Sequence, residues 1–233
     1  MKRTITYILL LLLPLFAVAQ ERKVQNKPYI DFRPLHYGFF IGFHAQDMEL
    51  ANNGFVTENG EAWYADIASY NPGFSVGVLA DLRLGGHLSL RVIPTMHFGQ
   101  NNVIFREQNS GERSKQSLKT TYIAVPVHVK FAAERFNNYR PYLTAGVSPM
   151  CNLTVKKQQQ LLLKRFDCMI EVGFGCDFYL PFFKLIPELK FGFSPLSVLN
   201  KQRDDLLDAN YLKFTQSVDK VTSKMITLSF YFE

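Results

Sequence analysis

Residues 225–232 read Met-Ile-Thr-Leu-Ser-Phe-Tyr-Phe, with apolar side chains at Ile226, Leu228, Phe230 and Phe232 and Thr227, Ser229 and Tyr231 between them. A period of two belongs to a strand with one apolar and one polar face. The same alternation recurs upstream and predicts strands over 36–46, 73–84, 87–99, 121–131, 140–149, 165–179 and 184–194. In the first, Tyr37, Phe39, Ile41 and Phe43 share a face against Gly38, Phe40, Gly42, His44 and Gln46. In the fourth, Ile123, Val125, Val127, Val129 and Phe131 oppose Tyr122, Pro126, His128 and Lys130.

The connections alternate as well. Polar stretches at 51–72, 100–119, 150–164 and 195–218 read as long loops, the first carrying Asn52-Asn53-Gly54 and Asn59-Gly60 turn signals. Residues 196–214 leave room for a short helix. Gly85-Gly86, Asn137-Asn138 and residues 180–183 mark short turns, so both chain ends fall on the short-turn side. This layout predicts an all-β fold, an eight-stranded antiparallel up-and-down transmembrane β-barrel with short periplasmic turns and long extracellular loops. Runs of about ten residues suit a tilted membrane strand. A soluble lipocalin-like barrel shows the same alternation with the faces exchanged. The Phe-rich, nearly charge-free apolar face favours lipid contact.

Composition sharpens this picture. Aromatic residues make up 14% of the chain, with 21 Phe and 11 Tyr against one Trp, a load that suits strands and interfacial girdles. Tyr37, Phe131, Phe178, Phe182, Phe183 and Phe232 cluster near the short-turn end as such a girdle. Lys2 and Arg3, an apolar run over 8–13 and Ala17-Val18-Ala19 form a secretory signal, with the mature chain beginning at Gln20. The predicted division is a signal peptide over 1–19, a flexible periplasmic arm over 20–35 and the barrel over 36–233. Loss of Lys2 and Arg3 leaves 24 bases against 20 acids, a mature charge of +4 rather than +6. No cysteine follows the cut, which argues against a lipid-anchored chain. After residue 19 nothing approaches the ~18 apolar residues of a membrane helix.

The remaining chemistry is sparse. Cys168 and Cys176 share one strand, too far apart to bridge, and Cys151 and Cys168 could close a loop only with difficulty. Asp81, Arg83, Arg91, Lys130, Glu171, Glu188 and Lys190 fall on the inner face, with Asp81 directly across from Arg91, and Gly173 and Gly175 opposite Lys190 and Glu188. A relay or a plug would use such groups. An interior of compensating ion pairs filling a narrow barrel needs no further function. His44 and His97 point inward near the outer end without an evident third metal ligand. Lys156, Lys157, Lys164 and Arg165 make a basic outer loop, within reach of lipopolysaccharide phosphates or simply solvated. No catalytic, cofactor-binding or metal-ligating residue is assigned, and neither enzyme activity nor a cofactor is expected.

Tyr122-Ile-Ala-Val-Pro-Val-His-Val-Lys-Phe131 followed by Asn138-Tyr-Arg-Pro-Tyr-Leu143 resembles the fourth- and fifth-strand pattern of the Bacteroidota outer-membrane barrels of the PorT/SprT family. Pro34-Leu-His-Tyr-Gly-Phe39, Asn71-Pro-Gly-Phe-Ser-Val-Gly77, Leu82-Arg-Leu84, Gly173-Phe-Gly-Cys-Asp-Phe-Tyr-Leu-Pro181 and Thr227-Leu-Ser-Phe-Tyr-Phe-Glu233 extend the likeness to the end of the chain. The resemblance implies an integral outer-membrane component required for type IX secretion, which exports proteases, adhesins and gliding-motility proteins. It supplies no catalytic residues. Expected partners are outer-membrane lipid, lipopolysaccharide and other secretion components, with no nucleic acid. The alternatives are a generic structural or adhesive barrel, and an outer-membrane lipid- or peptide-modifying enzyme with its site around His44 and His97.

Overall fold

In the computed structural model, described over residues 25–57, 60–69, 71–108, 111–155, 161–203 and 211–233, the alternating segments form one antiparallel sheet. Its strands are β1 (Leu35–Asn52), β2 (Trp63–Ser69), β3 (Pro72–Arg83), β4 (Leu88–Val92), β5 (Thr95–Glu107) and β6 (Arg113–Ala124). They continue as β7 (Val127–Ala132), β8 (Tyr139–Asn152), β9 (Phe166–Tyr179), β10 (Lys184–Phe193) and β11 (Val218–Phe232). Pairs β2/β3, β4/β5 and β6/β7 are each one interrupted stave, so the eleven segments make eight staves. β1 pairs with both β3 and β11, and β8 with both β7 and β9, so the ring closes.

Two interruptions have a covalent cause. Pro94 and Pro126 have no N–H to give the ladder. Their carbonyls still accept, from Val78 at 3.0 Å and Ile93 at 3.0 Å, and Val125 donates to Pro149 at 3.1 Å. The staves therefore run on through the breaks.

Orientation decides between the two barrels that alternation allows. The apolar set faces out: Tyr37 is 77% exposed, Leu143 62%, Phe131 55% and Ile226 50%. The polar set faces in and is buried, including Ser75, Arg91, His128, Glu188 and Ser229. Only a lipid surround satisfies a closed barrel built this way. Phe39 stacks on Phe232 at 5.2 Å between ring centroids, and Phe183 lies 6.0 Å from Phe232, beside the exposed Tyr37 and Phe182. This is the aromatic belt expected at the short-turn end.

Strand ends differ from the sequence reading. Residues 51–72 and 100–119 are not long loops, because β1 runs 18 residues to Asn52 and β5 and β6 pair from Thr95↔Ala124 to Arg106↔Arg113. Their inward positions stay apolar beyond the membrane (Met48, Trp63, Ala65, Val103, Phe105 and Leu118), and these residues bury one another. Burial of that layer holds the ladder together where lipid no longer requires it. Among the described residues, the helix anticipated within 196–214 is a short one, α1 (Leu212–Gln216), at the end of that connection. Cys151, Cys168 and Cys176 are all free thiols. The signal segment over 1–19 lies outside the described residues.

Candidate functional site

The interior is a chain of charges whose partners come from different staves. A three-residue connection, Gly85-Gly86-His87, sets Asp81 opposite Arg91. The Arg91 guanidinium lies 3.1 Å from Asp81 and 2.8 Å from Glu188, and all three are buried. Tyr142 donates to one Glu188 oxygen at 2.6 Å and Tyr231 to the other at 2.9 Å. Both rings also face the Arg91 guanidinium, at 5.1 and 5.4 Å. Gly175 and Gly173 stand opposite Glu188 and Lys190. A Cβ at Gly175 would collide with the Tyr142 hydroxyl, so glycine is what lets that ring cross the lumen.

From this centre the chain extends both ways. Lys190 donates to Tyr231 at 3.3 Å and approaches Glu171 at 3.8 Å, while His128 lies 3.0 Å from Glu171. Toward the short turns, Lys130 pairs with Asp177 at 2.8 Å, Asp177 with Lys184 at 3.2 Å and Lys184 with Glu233 at 3.1 Å; Glu233 also contacts His36. Arg83, expected in this set, stays at the rim, where it donates to the Gly85 carbonyl at 3.0 Å and lies over Phe32. An eight-stranded lumen is just wide enough for side chains to fill. Buried charges are tolerable there because opposite charges are paired and the carboxylates accept hydrogen bonds.

The short-turn mouth is partly covered by the chain itself, which leaves a narrow cleft beside Asp31 over Asp81, Lys130, Asp177 and Lys184. Residues 25–34, read from sequence as part of a flexible arm, are docked. Tyr179 donates to Asp31 at 2.5 Å, and Arg135 and Arg140 approach Asp31 at 3.4 and 3.7 Å. Arg135 also lies 3.7 Å over the Tyr179 ring, Asn26 donates to the Tyr179 carbonyl, and Ile30 is buried. The physical reason is charge: two arginines on one side of the mouth hold the arm's aspartate. Residues 20–24 of that arm lie outside the described residues.

At the loop end the lumen closes under an apolar layer. Trp63 and Phe105 pack on Phe214 of α1 at 4.9 and 4.8 Å, and Leu161, Leu163, Val198, Leu199, Val218 and Val221 complete the layer. Two amide side chains stitch its seams. Asn52 bonds both backbone groups of Ala65, and Gln116 both of Leu161. Above the layer Glu61 accepts from Lys213 at 2.8 Å and from the Trp63 indole at 2.8 Å. Those two bonds, the lysine first, hold the exposed Glu61 carboxyl below the ordinary glutamate range.

His44 and His97 do come together. Ser75 lies between them, 2.8 Å from each Nδ1, and the two rings meet edge to face at 5.3 Å. Ser75 is fully buried, so the hydroxyl–imidazole pair lies inside the lumen rather than at the outer rim. Among the described residues no three His, Cys, Asp or Glu side chains group as a metal site. Of the basic outer loop, Lys164 donates to the Ser197 carbonyl at 3.0 Å and Arg165 is exposed, while Lys156 and Lys157 lie outside the described residues.

Sequence reasoning missed Tyr142, Tyr231, Lys184 and Glu233 as members of the inner network, and the whole apolar layer. Inward parity was a usable signal for the first three. For the layer it was the apolar and aromatic triplets Val103-Ile104-Phe105 and Trp63-Tyr64-Ala65, set inside otherwise polar stretches.

Comparison with known proteins agrees with the architecture. Among curated proteins, none matches this sequence. Two solved structures align over most of their length. Neisserial surface protein A is 12% identical, with 85% of this chain and 98% of that chain covered and a TM-score of 0.41. OprG from Pseudomonas aeruginosa is also 12% identical, with 85% and 92% covered and a TM-score of 0.44. The profile of the family described as outer membrane protein beta-barrel domain matches residues 18–198, well over half of the sequence. With a closed ring, an apolar exterior and that match, this chain belongs to the outer membrane protein beta-barrel domain family and is integral to the outer membrane.

Proposed function

We propose that this barrel serves type IX secretion as a non-enzymatic accessory or assembly factor, working through its outer surfaces and not as the conduit. The observation that carries the reading is a lumen filled by paired charges, narrowed at one mouth by the docked arm and closed toward the other by the apolar layer. Eight staves leave no path for a folded cargo protein. The resemblance to the PorT/SprT family supplies the secretion role. Partners on this reading are other secretion components and outer-membrane lipid, including lipopolysaccharide, with no nucleic acid. The burial of Ser75, His44 and His97 weighs against an enzyme site at the outer rim around those histidines.

The test is a clean deletion in the native organism followed by fractionation. Cargo bearing the type IX signal should accumulate unprocessed in the periplasm and return to the medium on complementation. Undisturbed secretion would remove the role and leave the second reading, a structural or adhesive barrel. What favours that alternative is the apolar layer, which packs described parts of all four outer connections against one another.

A further inference from the structure

Beyond the lipid-facing band, the outward face of β5 and β6 carries Arg106, Arg113, Lys115 and Lys119, all exposed. Arg106 stands directly opposite Arg113, a pairing of like charges that destabilises a ladder left to itself. Lys115 and Lys119 face the uncharged Ile104 and Gln100. None of the four has an ion-pair partner among the described residues. At this end Lys224 is paired with Glu49 at 2.6 Å, Lys201 with Asp219 at 2.7 Å and Lys213 with Glu61 at 2.8 Å, while Arg165 and Lys220 stand exposed and apart from one another. The β5–β6 stripe gathers four cations on one face, with a single acid, Asp66 of β2, beside them opposite Ile104.

Its height matters. The outward residues of the fourth stave are apolar from Phe131 to Ile123. Lys119 follows four residues later, roughly 13 Å along the strand at about 3.4 Å per residue. With strands tilted by about 40°, that is the head-group level just above the hydrocarbon. Lys115 and Arg113 continue the stripe into the layer above. Beside Lys119, where β6 keeps only three pairs with β8, a cleft of about 120 Å³ opens between Leu118, Leu161 and Leu163 on one side and Thr120, Asn152 and Thr154 on the other. A cationic ladder at head-group height, flanked by a small cleft with both apolar and hydroxyl-bearing walls, is complementary to an anionic amphiphile.

We infer that the β5–β6 stripe binds the phosphorylated glycolipid of the outer leaflet, with lipid A phosphate at Lys119 and the anionic sugars above it along Lys115, Arg113 and Arg106. This deepens the lipid partnership named above and rests on that part of the reading, not on the secretion role.

The experiment uses the folded full-length barrel in phosphatidylcholine nanodiscs, titrated with bisphosphorylated lipid A and with its dephosphorylated form, bound lipid being counted by native mass spectrometry. The wild type should prefer the phosphorylated lipid. The variant Arg113→Gln/Lys115→Gln/Lys119→Gln should lose about fivefold in affinity for each charge removed, about a hundredfold in all. Lys201→Gln/Lys224→Gln, which removes paired cations, should bind as wild type. Arg113→Lys/Lys115→Arg/Lys119→Arg should retain binding, which separates charge from any folding defect. Equal binding of the two lipids, or wild-type affinity in the triple Gln variant, overturns the inference. So does a stronger preference for polyglutamate, which would assign the stripe to an acidic protein partner. No secretion machinery is present in this assay, so its failure and a failure of the secretion reading are distinguishable.

Discussion

Glu188 shows how a buried charge can be made acceptable inside a membrane protein. It is almost fully buried, yet each carboxylate oxygen accepts a tyrosine hydroxyl and one also meets Arg91. Removing it leaves the Arg91 charge with Asp81 alone and two tyrosine hydroxyls without their acceptor. Glu188→Ala should therefore cost about 3–5 kcal/mol, the range for breaking a buried pair by deleting one partner. Urea unfolding from lipid vesicles reads this as a lowered midpoint. Lys224→Ala, which breaks the exposed pair with Glu49, should leave the midpoint near that of wild type. If both variants shift the midpoint equally, the lumen network is not what holds the staves in register.

Among the elements, α1 and the tip of β2 form the most titratable junction outside the membrane. Glu61 is held below the usual glutamate range by Lys213 and the Trp63 indole, so the pair stabilises the cap at neutral pH. A depressed carboxylate contributes above its unfolded value of about 4.3 and is lost as pH falls through the lowered folded value. Trp63 is the single tryptophan of the chain and lies in the apolar layer, so its emission reports this junction alone. Acid titration should shift that emission to the red with a midpoint below about 4.3. In Glu61→Gln the transition should vanish while the folded barrel persists on an unheated gel. An unchanged acid transition in the variant would mean that another group controls the cap.

For the molecule as a whole, the decisive property is a lumen that the described residues fill from end to end. Ion pairs fill the lumen, residues 25–34 partly cover one mouth, and the apolar layer covers the other. Liposomes carrying the purified protein should not swell in sugars that pass through larger porins. Swelling at a porin's rate would show that one of the covers opens, and would return the lumen to consideration as a conduit.

Much of this was legible in the residue order. A period of two assigns faces by covalent geometry alone, so the inward set of Asp81, Arg91, Lys130, Glu171, Glu188 and Lys190, and the register of Gly173 and Gly175 beneath Lys190 and Glu188, followed from counting. Alternation carries no sign, however: it separates two faces without saying which meets solvent, and only ring closure with the apolar face outward decided that. Nor does local sequence foretell cooperation between distant segments. Met48, Trp63, Val103, Leu161, Val198 and Phe214 become one layer because four connections converge over one end of the barrel. Asp31 finds Arg135 and Tyr179 only once the ring has brought residues about a hundred or more apart to the same mouth. The order of residues determined the strands and their faces; the closed tertiary structure decided what those faces enclose.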